Sequence, residues 1–432
     1  MTQMSGAAAT APVPVTSPAA QNMVAAKPSP LPVEATATPK PRDTPRDLRR
    51  LTTLVIVASV VFGLAGLATF LLLTSSLQRA ESSTAQLIRV QQIQTNLLRA
   101  DANATNAFLV GGLEPADQRK AYDDAITATS QLIAEAADAE PGDRAALSAL
   151  NVQLIDYTEN IELARANNRQ GFPVGAQYLR NASGGLRADA MPILDNLVTA
   201  NAERAESQMS ARIAILFALV GIVVLGLLVW VQVQLARRFR RRFNVGLATA
   251  FGIGVVTLIV GLAALGWAAA TIGGIRDGSF ADVRDAASAR IEGNNAKSNE
   301  SLTLIARGSG SSFEKAWQVS ATVVEDRLSR LGRGIDSVWT PYTTVHTEIR
   351  TLDDGGQWDK AVALATSRSN DTFDDFDSTL ASVVEGASTE TTGGLAATVP
   401  GMVVGALLTF AAGIAMAVLG RRGLAQRLKE YR

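Results

Sequence analysis

The chain has 432 residues, 47% hydrophobic but only 5% aromatic, with 40 basic and 40 acidic side chains that leave a formal net charge of zero. It has no cysteine and a single histidine, His346, which excludes disulfides, thiolate metal sites and cysteine nucleophiles, leaves no set of histidines for a metal centre, and leaves His346 alone to serve a catalytic triad. A mean hydropathy of +0.15 is high for a soluble protein of this length, and the excess falls in four blocks rather than evenly.

Residues 1–47 are rich in Ala, Pro, Thr and Ser and contain no aromatic residue, a composition that predicts a disordered tail. Within it, Thr38–Arg46, which includes Thr44, reads either as a phosphorylated docking peptide or as a basic tether on anionic lipid. Four stretches follow that lack Asp, Glu, Lys and Arg: Leu51–Thr74, Ile213–Leu235, Val245–Thr271 and about Pro400–Gly420. Each supplies the roughly 20 apolar residues that cross a hydrocarbon core about 30 Å thick. The first is too long, and too far behind its 50-residue leader, for a cleaved signal peptide. The predicted layout is a tail over 1–47 and spans at 48–75, 212–235, 245–272 and 399–420. Large segments at 76–211 and 273–398 separate them, with a basic loop at 236–244 and a basic tail at 421–432.

Charge sets the expected orientation. Residues 1–50, 236–244 and 421–432 together hold 16 basic and 4 acidic side chains, whereas the rest of the chain holds 24 and 36. Lys and Arg near span ends stay on the cytoplasmic side, so both termini and the short loop are expected inside and both large segments outside. Arg237, Arg238, Arg240, Arg241 and Arg242 first of all anchor this topology, and with Thr44 they form a candidate cytoplasmic docking face. Gly401-x-x-x-Gly405 and Ala250-x-x-x-Gly254 would allow close helix approach, within one chain or between copies as a homo-oligomer. With no ionisable residue inside a span, an ion pathway or proton relay is not expected.

Both large segments read as helical, which makes the fold class all-α. Leu87, Val90, Ile93, Leu97, Ala104 and Phe108 recur at helical intervals and form one apolar stripe. Breaks fall at Gly111–Pro115, Pro141–Asp143 and Gly171–Pro173. Four helical segments result, the first and last running into spans, which predicts an up-down four-helix bundle. Gly184-Gly185 and Pro192 interrupt the fourth helix, either as a tolerated bend or as a hinge. The second segment repeats the plan. Ala100–Asn103 matches Ala296–Asn299, Arg119–Tyr122 matches Glu314–Trp317, and Gly171 with Ala176 and Leu179 matches Gly356 with Ala361 and Leu364. Two tandem extracytoplasmic bundles from a duplication are therefore expected.

No catalytic, cofactor-binding or metal-binding residues emerge. The pairs Asp123-Asp124, Asp353-Asp354 and Asp374-Asp375 lack a ligand loop and read as solvated helix surface. Gly308–Ser312 lacks the lysine and strand of a phosphate loop. His346 lies on a helical segment outside the spans and reads as a surface or packing residue. The protein is expected to be non-enzymatic, without a cofactor and without nucleic-acid binding.

A four-helix bundle between two spans resembles the sensory module of bacterial chemoreceptors. The turn Asn167–Gly171, followed by Pro173–Arg180, is similar to actinobacterial members of that class. Two such modules in tandem resemble GlnX-type actinobacterial transmembrane signalling proteins, over roughly residues 48–432. That resemblance implies a signal transducer that relays glutamate or aspartate, through an extracytoplasmic solute-binding lipoprotein, to a cytoplasmic Ser/Thr protein kinase. Residues 236–244 turn straight back into the membrane, unlike the long signalling coil of a chemoreceptor, so output must come through a recruited partner. The alternatives are a non-signalling membrane scaffold and a permease-like subunit of an ATP-driven envelope complex. Because the first and fourth helices of each bundle enter the membrane, the first and third turns lie at its far end. Gly111, Gly112, Phe172 and Pro173 in the first domain, and Arg307, Ser309, Asp354 and Gly356 in the second, are the candidate partner contacts.

Overall fold

A computed structural model describes residues 44–110, 114–171, 173–210, 213–239, 244–332 and 334–429. Among these the regular structure is helical throughout, without a strand. Helix α1 (Thr44–Val110, 67 residues) runs unbroken from the basic end of the first span to the far end of the first domain. Helices α2 (Ala116–Ala139) and α3 (Arg144–Arg169) follow as a hairpin. Then α4 (Val174–Gly185) and α5 (Met191–Gln208), joined by a π-helical turn at Leu186–Ala190, return toward the membrane. After α6 (Ala214–Phe239) and α7 (Val245–Asp277), the second domain contains α8 (Ser279–Ile305), α9 (Ser311–Leu331) and α10 (Thr340–Asp354). The short α11 (Trp358–Ala365) then leads to α12 (Arg368–Lys429, 62 residues), which includes the last span. Among the described residues four helices are long and apolar enough to cross a membrane, and the chain is a multi-pass membrane protein.

Local sequence explains these boundaries. In α2 the buried side chains are Tyr122, Ala125, Thr129, Ile133 and Ala136, spaced by three or four residues as one helix face requires. The third helix of each domain ends before a glycine in the left-handed region, Gly171 (φ +72) and Gly356 (φ +74), where a side chain would be strained. These are the two glycines that the sequence pairs between domains. Tyr157 and Tyr342 each stand fourteen residues before their glycine. Each packs against the aromatic residue of the second helix: the Tyr122–Tyr157 ring centroids lie 6.5 Å apart and the Trp317–Tyr342 centroids 6.4 Å apart.

As expected, no break separates span from domain in α1 or α12, and Pro400 lies inside the continuous last helix. Several other boundaries differ. The basic loop is helical as far as Phe239, and α7 extends to Asp277, where Gly278 breaks the chain before α8. The fourth segment of the second domain is in two pieces, α11 and α12, because a turn at Thr366–Ser367 interrupts it.

The spans α1, α6, α7 and α12 pack around Phe217, whose ring stacks on Phe62 at 5.8 Å and meets Phe70 edge-on at 6.3 Å. Val57, Ile215, Val223, Ile259 and Leu408 face outward, as a lipid-facing surface requires. Gly254 and Gly405 of the singled-out motifs meet side chains closely, but the backbone-to-backbone crossings use other glycines. A Cβ on Gly413 would stand 2.5 Å from Gly63 Cα, and one on Gly246 2.6 Å from Gly423 Cα, whereas Gly401 has open space beside it. Of the two small-residue motifs, Gly405 packs on Phe70, and Gly254 packs on Leu225 and Met416. Backbone-to-backbone crossings leave no room for a side chain, so Gly413→Leu should destabilise the full chain by about 1–3 kcal/mol or more. Gly401→Leu should be nearly neutral. Thermal unfolding in detergent micelles checks the difference, and equal melting temperatures for the two variants would contradict this packing.

Candidate functional site

The two domains meet along α1 and α8, and the segments that the sequence pairs face each other there. Asp101 on α1 is completely buried. Ser183 Oγ on α4 donates to its Oδ1 at 2.6 Å, and Ser298 Oγ on α8 donates to its Oδ2 at 2.6 Å. Arg187 Nη2 pairs with the same Oδ2 at 3.0 Å and also donates to Ser298 Oγ, while Arg187 Nε donates to Asn295 Oδ1 at 2.9 Å. Arg187 sits on the π turn. Pro192 cannot donate a backbone hydrogen bond and its ring crowds the carbonyl four residues earlier, so the helix inserts one residue to pass it. The interruption at Gly184-Gly185 and Pro192 is thus a continuous helix with a widened turn, and that turn carries the cation of the seam.

Farther from the membrane, Asn106 Nδ2 donates to the Ala365 carbonyl at 3.2 Å and its Oδ1 accepts from Asn370 Nδ2 at 3.1 Å. Leu109, near the end of α1, joins Leu304, Val345, Ile349, Ala361 and Ala365 of the second domain in one apolar cluster. Ile291 in turn packs into the core of the first domain.

One residue before Ser298 begins a second buried network. Lys297 Nζ donates to Glu300 Oε1 at 2.8 Å, to Ser369 Oγ at 2.7 Å and to the Ala365 carbonyl at 3.3 Å. The other oxygen of Glu300 lies 2.9 Å from His346 Nδ1. His346 Nε2 faces Glu314 Oε2 at 3.3 Å, too oblique for a good hydrogen bond but close enough for charge attraction. The imidazole stacks on Trp317 with centroids 3.6 Å apart and planes within 6°. Arg350 Nε reaches Glu314 at 3.5 Å, and its Nη atoms pair with Asp353 and Asp354, each at 2.7 Å. A chain of charges therefore runs from the seam to the turn that holds Asp354 and Gly356.

His346 is only 2% exposed, so it is a packing residue and not a surface one. Burial alone would lower its pKa, but the carboxylates of Glu300 and Glu314 outweigh burial and hold it above the usual value. Burial would likewise raise the pKa of Glu300, yet the Lys297 ammonium and His346 bring it down to about 2.

The candidate partner contacts fall into three groups. Gly111, Gly112 and Phe172 lie outside the described residues, as do Arg240, Arg241 and Arg242. Pro173 immediately precedes α4, and Thr44 is the first residue of α1. Arg237 and Arg238 lie in the last turn of α6, with Arg237 exposed. In the second domain the distal turns come together. Arg307, at φ +40, places its guanidinium 3.8 Å over the Trp358 ring, and Trp358 Nε1 donates to the Leu304 carbonyl at 2.9 Å. Ser309 closes the first of these turns by donating to the Ala306 carbonyl. At the far end of the first domain, a cavity of about 290 Å³ opens between α1, α2, α3 and α4, lined by Phe108, Glu114, Arg119, Arg165 and Arg169. Arg165 pairs with Glu114 at 2.9 Å and lies 4.0 Å over the Tyr122 ring. Among the described residues, no cluster of His, Asp and Glu has metal-ligand geometry.

Comparison with known families bears on the first domain. Residues 76–210 match the family model described as an actinobacterial sensor domain. The match covers the stretch from the end of the first span to the end of α5, and it supports a sensing role for this chain. No curated protein and no solved structure matches it.

Sequence reasoning missed Asp101, Arg187, Lys297, Glu300 and Glu314, although one signal for Asp101 was present. It stands four residues after Leu97 and three before Ala104, so it interrupts an otherwise apolar stripe.

The two shifts in the buried network predict a pH dependence. With the histidine pKa raised in the fold, its stabilisation is fully present below its unfolded value of about 6.5. It is lost as pH rises through the folded pKa. The glutamate, lowered to about 2, contributes above its unfolded value of about 4.3 and loses that contribution as pH falls toward the folded one. Thermal stability in detergent should therefore be highest at pH about 4.5–6.5 and decline on the alkaline side. His346→Gln should flatten the alkaline decline and lower the melting temperature at pH about 6. An unchanged pH profile in that variant would remove His346 as the cause.

Proposed function

We propose that the protein is a transmembrane signal transducer with both domains outside the cytoplasm and both termini inside. It relays a nutrient signal, glutamate or aspartate delivered by a solute-binding lipoprotein, to a cytoplasmic Ser/Thr protein kinase, and it is not an enzyme. The observation that carries this reading is α1. A single 67-residue helix begins with the basic flank, includes the first span, and ends at the contact between the two domains. The sensor-domain match over residues 76–210 supports the sensing half of the proposal.

In this reading the two domains are copies of one module, and the lipoprotein sits on their distal turns. Asp354 connects through Arg350, Glu314, His346 and Glu300 to Lys297, the neighbour of Ser298, which binds Asp101. A partner that binds one packing of this chain of charges better than another shifts the equilibrium between the two. Continuous helices α1 and α12 then deliver the shift to the inner face. There Thr44 and the arginines from Arg237 to Arg242 form the docking face for the kinase. The direct contact between domains fits a transducer better than a passive scaffold, which has no need of charged groups shared between modules.

The orientation is checked with single cysteines. Those at Ser148 and Ser329, both exposed, should react with a membrane-impermeant thiol reagent in intact cells, and one at Ser17 should not. Labelling at Ser17 would reverse the topology and end the proposal. Arg307→Glu combined with Asp354→Lys should reduce co-purification of the lipoprotein at least tenfold, with membrane levels unchanged. Undiminished co-purification would rule out the distal turns of the second domain as its contact.

A further inference from the structure

Between the first and second spans a groove of about 680 Å³ opens on the lipid-facing side. Its floor is Ala58 and Val224, both buried, and its walls are Val57 and Val61 on α1 with Val223 and Leu227 on α6. Just beyond Val61, α1 and α6 meet where Phe62 stacks on Phe217 at 5.8 Å. From Arg50 to Val61 the helix rises about 16 Å, close to half of a hydrocarbon core about 30 Å thick. The groove is one leaflet deep.

Its mouth is cationic. Arg46, Arg49 and Arg50 line it, all three exposed, and among the described residues none of their guanidiniums has a hydrogen bond or an ion pair. No carboxylate lines it among the described residues. Asp47 faces an adjoining hollow of about 270 Å³ and has a partner of its own. Spacings of three and four residues put the three arginines on one face of α1, where like charges destabilise a helix. The same face continues through Leu54, Val57 and Val61, so the charges pass directly into the apolar wall. Exposed Trp230 shares the adjoining hollow with Arg50 and Leu54. An indole ring favours the level of the head groups, which sets these arginines at the depth of lipid phosphates. A topology anchor requires cations at the end of a span, but neither their convergence on one face nor a groove leading away from them. An occupant that is anionic at one end and apolar over the depth of one leaflet matches every one of these features.

We propose that this groove holds one anionic phospholipid, its phosphate paired with Arg46, Arg49 and Arg50 and one acyl chain laid between α1 and α6. Guanidinium forks match phosphate oxygens two at a time, and basic pockets between spans suit anionic head groups. A zwitterionic lipid would bring an ammonium group among three arginines, so net negative charge is what the site selects. The lipid ties α1 to α6, the spans that lead into and out of the first domain. The inference rests on the spans alone, and neither the orientation nor the signalling partners enter it.

The test uses the full chain in detergent micelles, with phosphatidylglycerol and phosphatidylcholine as probes, followed by native mass spectrometry and thermal unfolding. Phosphatidylglycerol should bind saturably at a single site per chain and raise the melting temperature. Phosphatidylcholine should bind more weakly by about tenfold or more. Arg46→Gln, Arg49→Gln and Arg50→Gln together should remove that difference at unchanged helicity. Val57→Trp with Val223→Trp fills the groove from positions that already face lipid and leaves the arginines in place. It should weaken phosphatidylglycerol binding by about tenfold as well. Glycerol phosphate, which carries the anion without acyl chains, should not compete. The proposal is overturned if the two lipids bind the parent equally, which would leave only an ordinary lipid shell. It is equally overturned if either variant binds phosphatidylglycerol as tightly as the parent, or if glycerol phosphate displaces the lipid, which would make the site one for free phosphate.

Discussion

A carboxylate with no access to water is the constraint on which the outer part of this molecule depends. Asp101 is fully buried, and removing such a charge from water costs several kcal/mol unless hydrogen bonds and an opposite charge replace the solvent. Its own helix cannot supply those groups. They come from Ser183 and Arg187 on the returning helix of the same domain and from Ser298 of the other domain. The requirement holds three helices at one point and fixes their rotation, because a slip of one residue would strand the charge. Apolar contacts around Ile291 and Leu109 add area but tolerate sliding. The charge supplies direction.

Much of this architecture is written in the sequence as periodicity. The four spans, the all-helical domains and the three breaks of the first domain follow from apolar spacing and from Gly and Pro placement, and α2, α3 and α4 lie where those signals put them. The glycines paired between domains share a left-handed φ. Exact span-to-domain boundaries were not legible, because a helix that leaves the bilayer and enters a bundle exchanges one apolar environment for another without changing its backbone. Nor were the charge networks, since they form between residues tens to hundreds of positions apart. Asp101 is the exception that a closer reading of the stripe would find.

The spans show the opposite lesson. Small-residue motifs were easy to see, but the backbone crossings use Gly63 with Gly413 and Gly246 with Gly423, and Gly246 and Gly413 lie farther along the same four-residue rows as Ala250 and Gly405. In hydrocarbon a helix gains nothing by hiding leucine, so close packing is decided by which backbones can touch. That depends on both partners, and one helix read alone reveals only half of the fit.

The π turn has a consequence of phase. One residue inserted into a helix with 3.6 residues per turn rotates everything beyond it by about 100°. Downstream of Leu186–Ala190, Asn201 and Arg204 grip Asp143 at 2.8 and 2.6 Å, at the turn between α2 and α3. Upstream, Ser183 grips Asp101. The two grips lie on either side of this turn, and the inserted residue sets the angle between them, as an offset sets two cams on one shaft. Loss of a single residue here would shorten the chain by little more than an ångström, yet it would put the two grips out of time with each other.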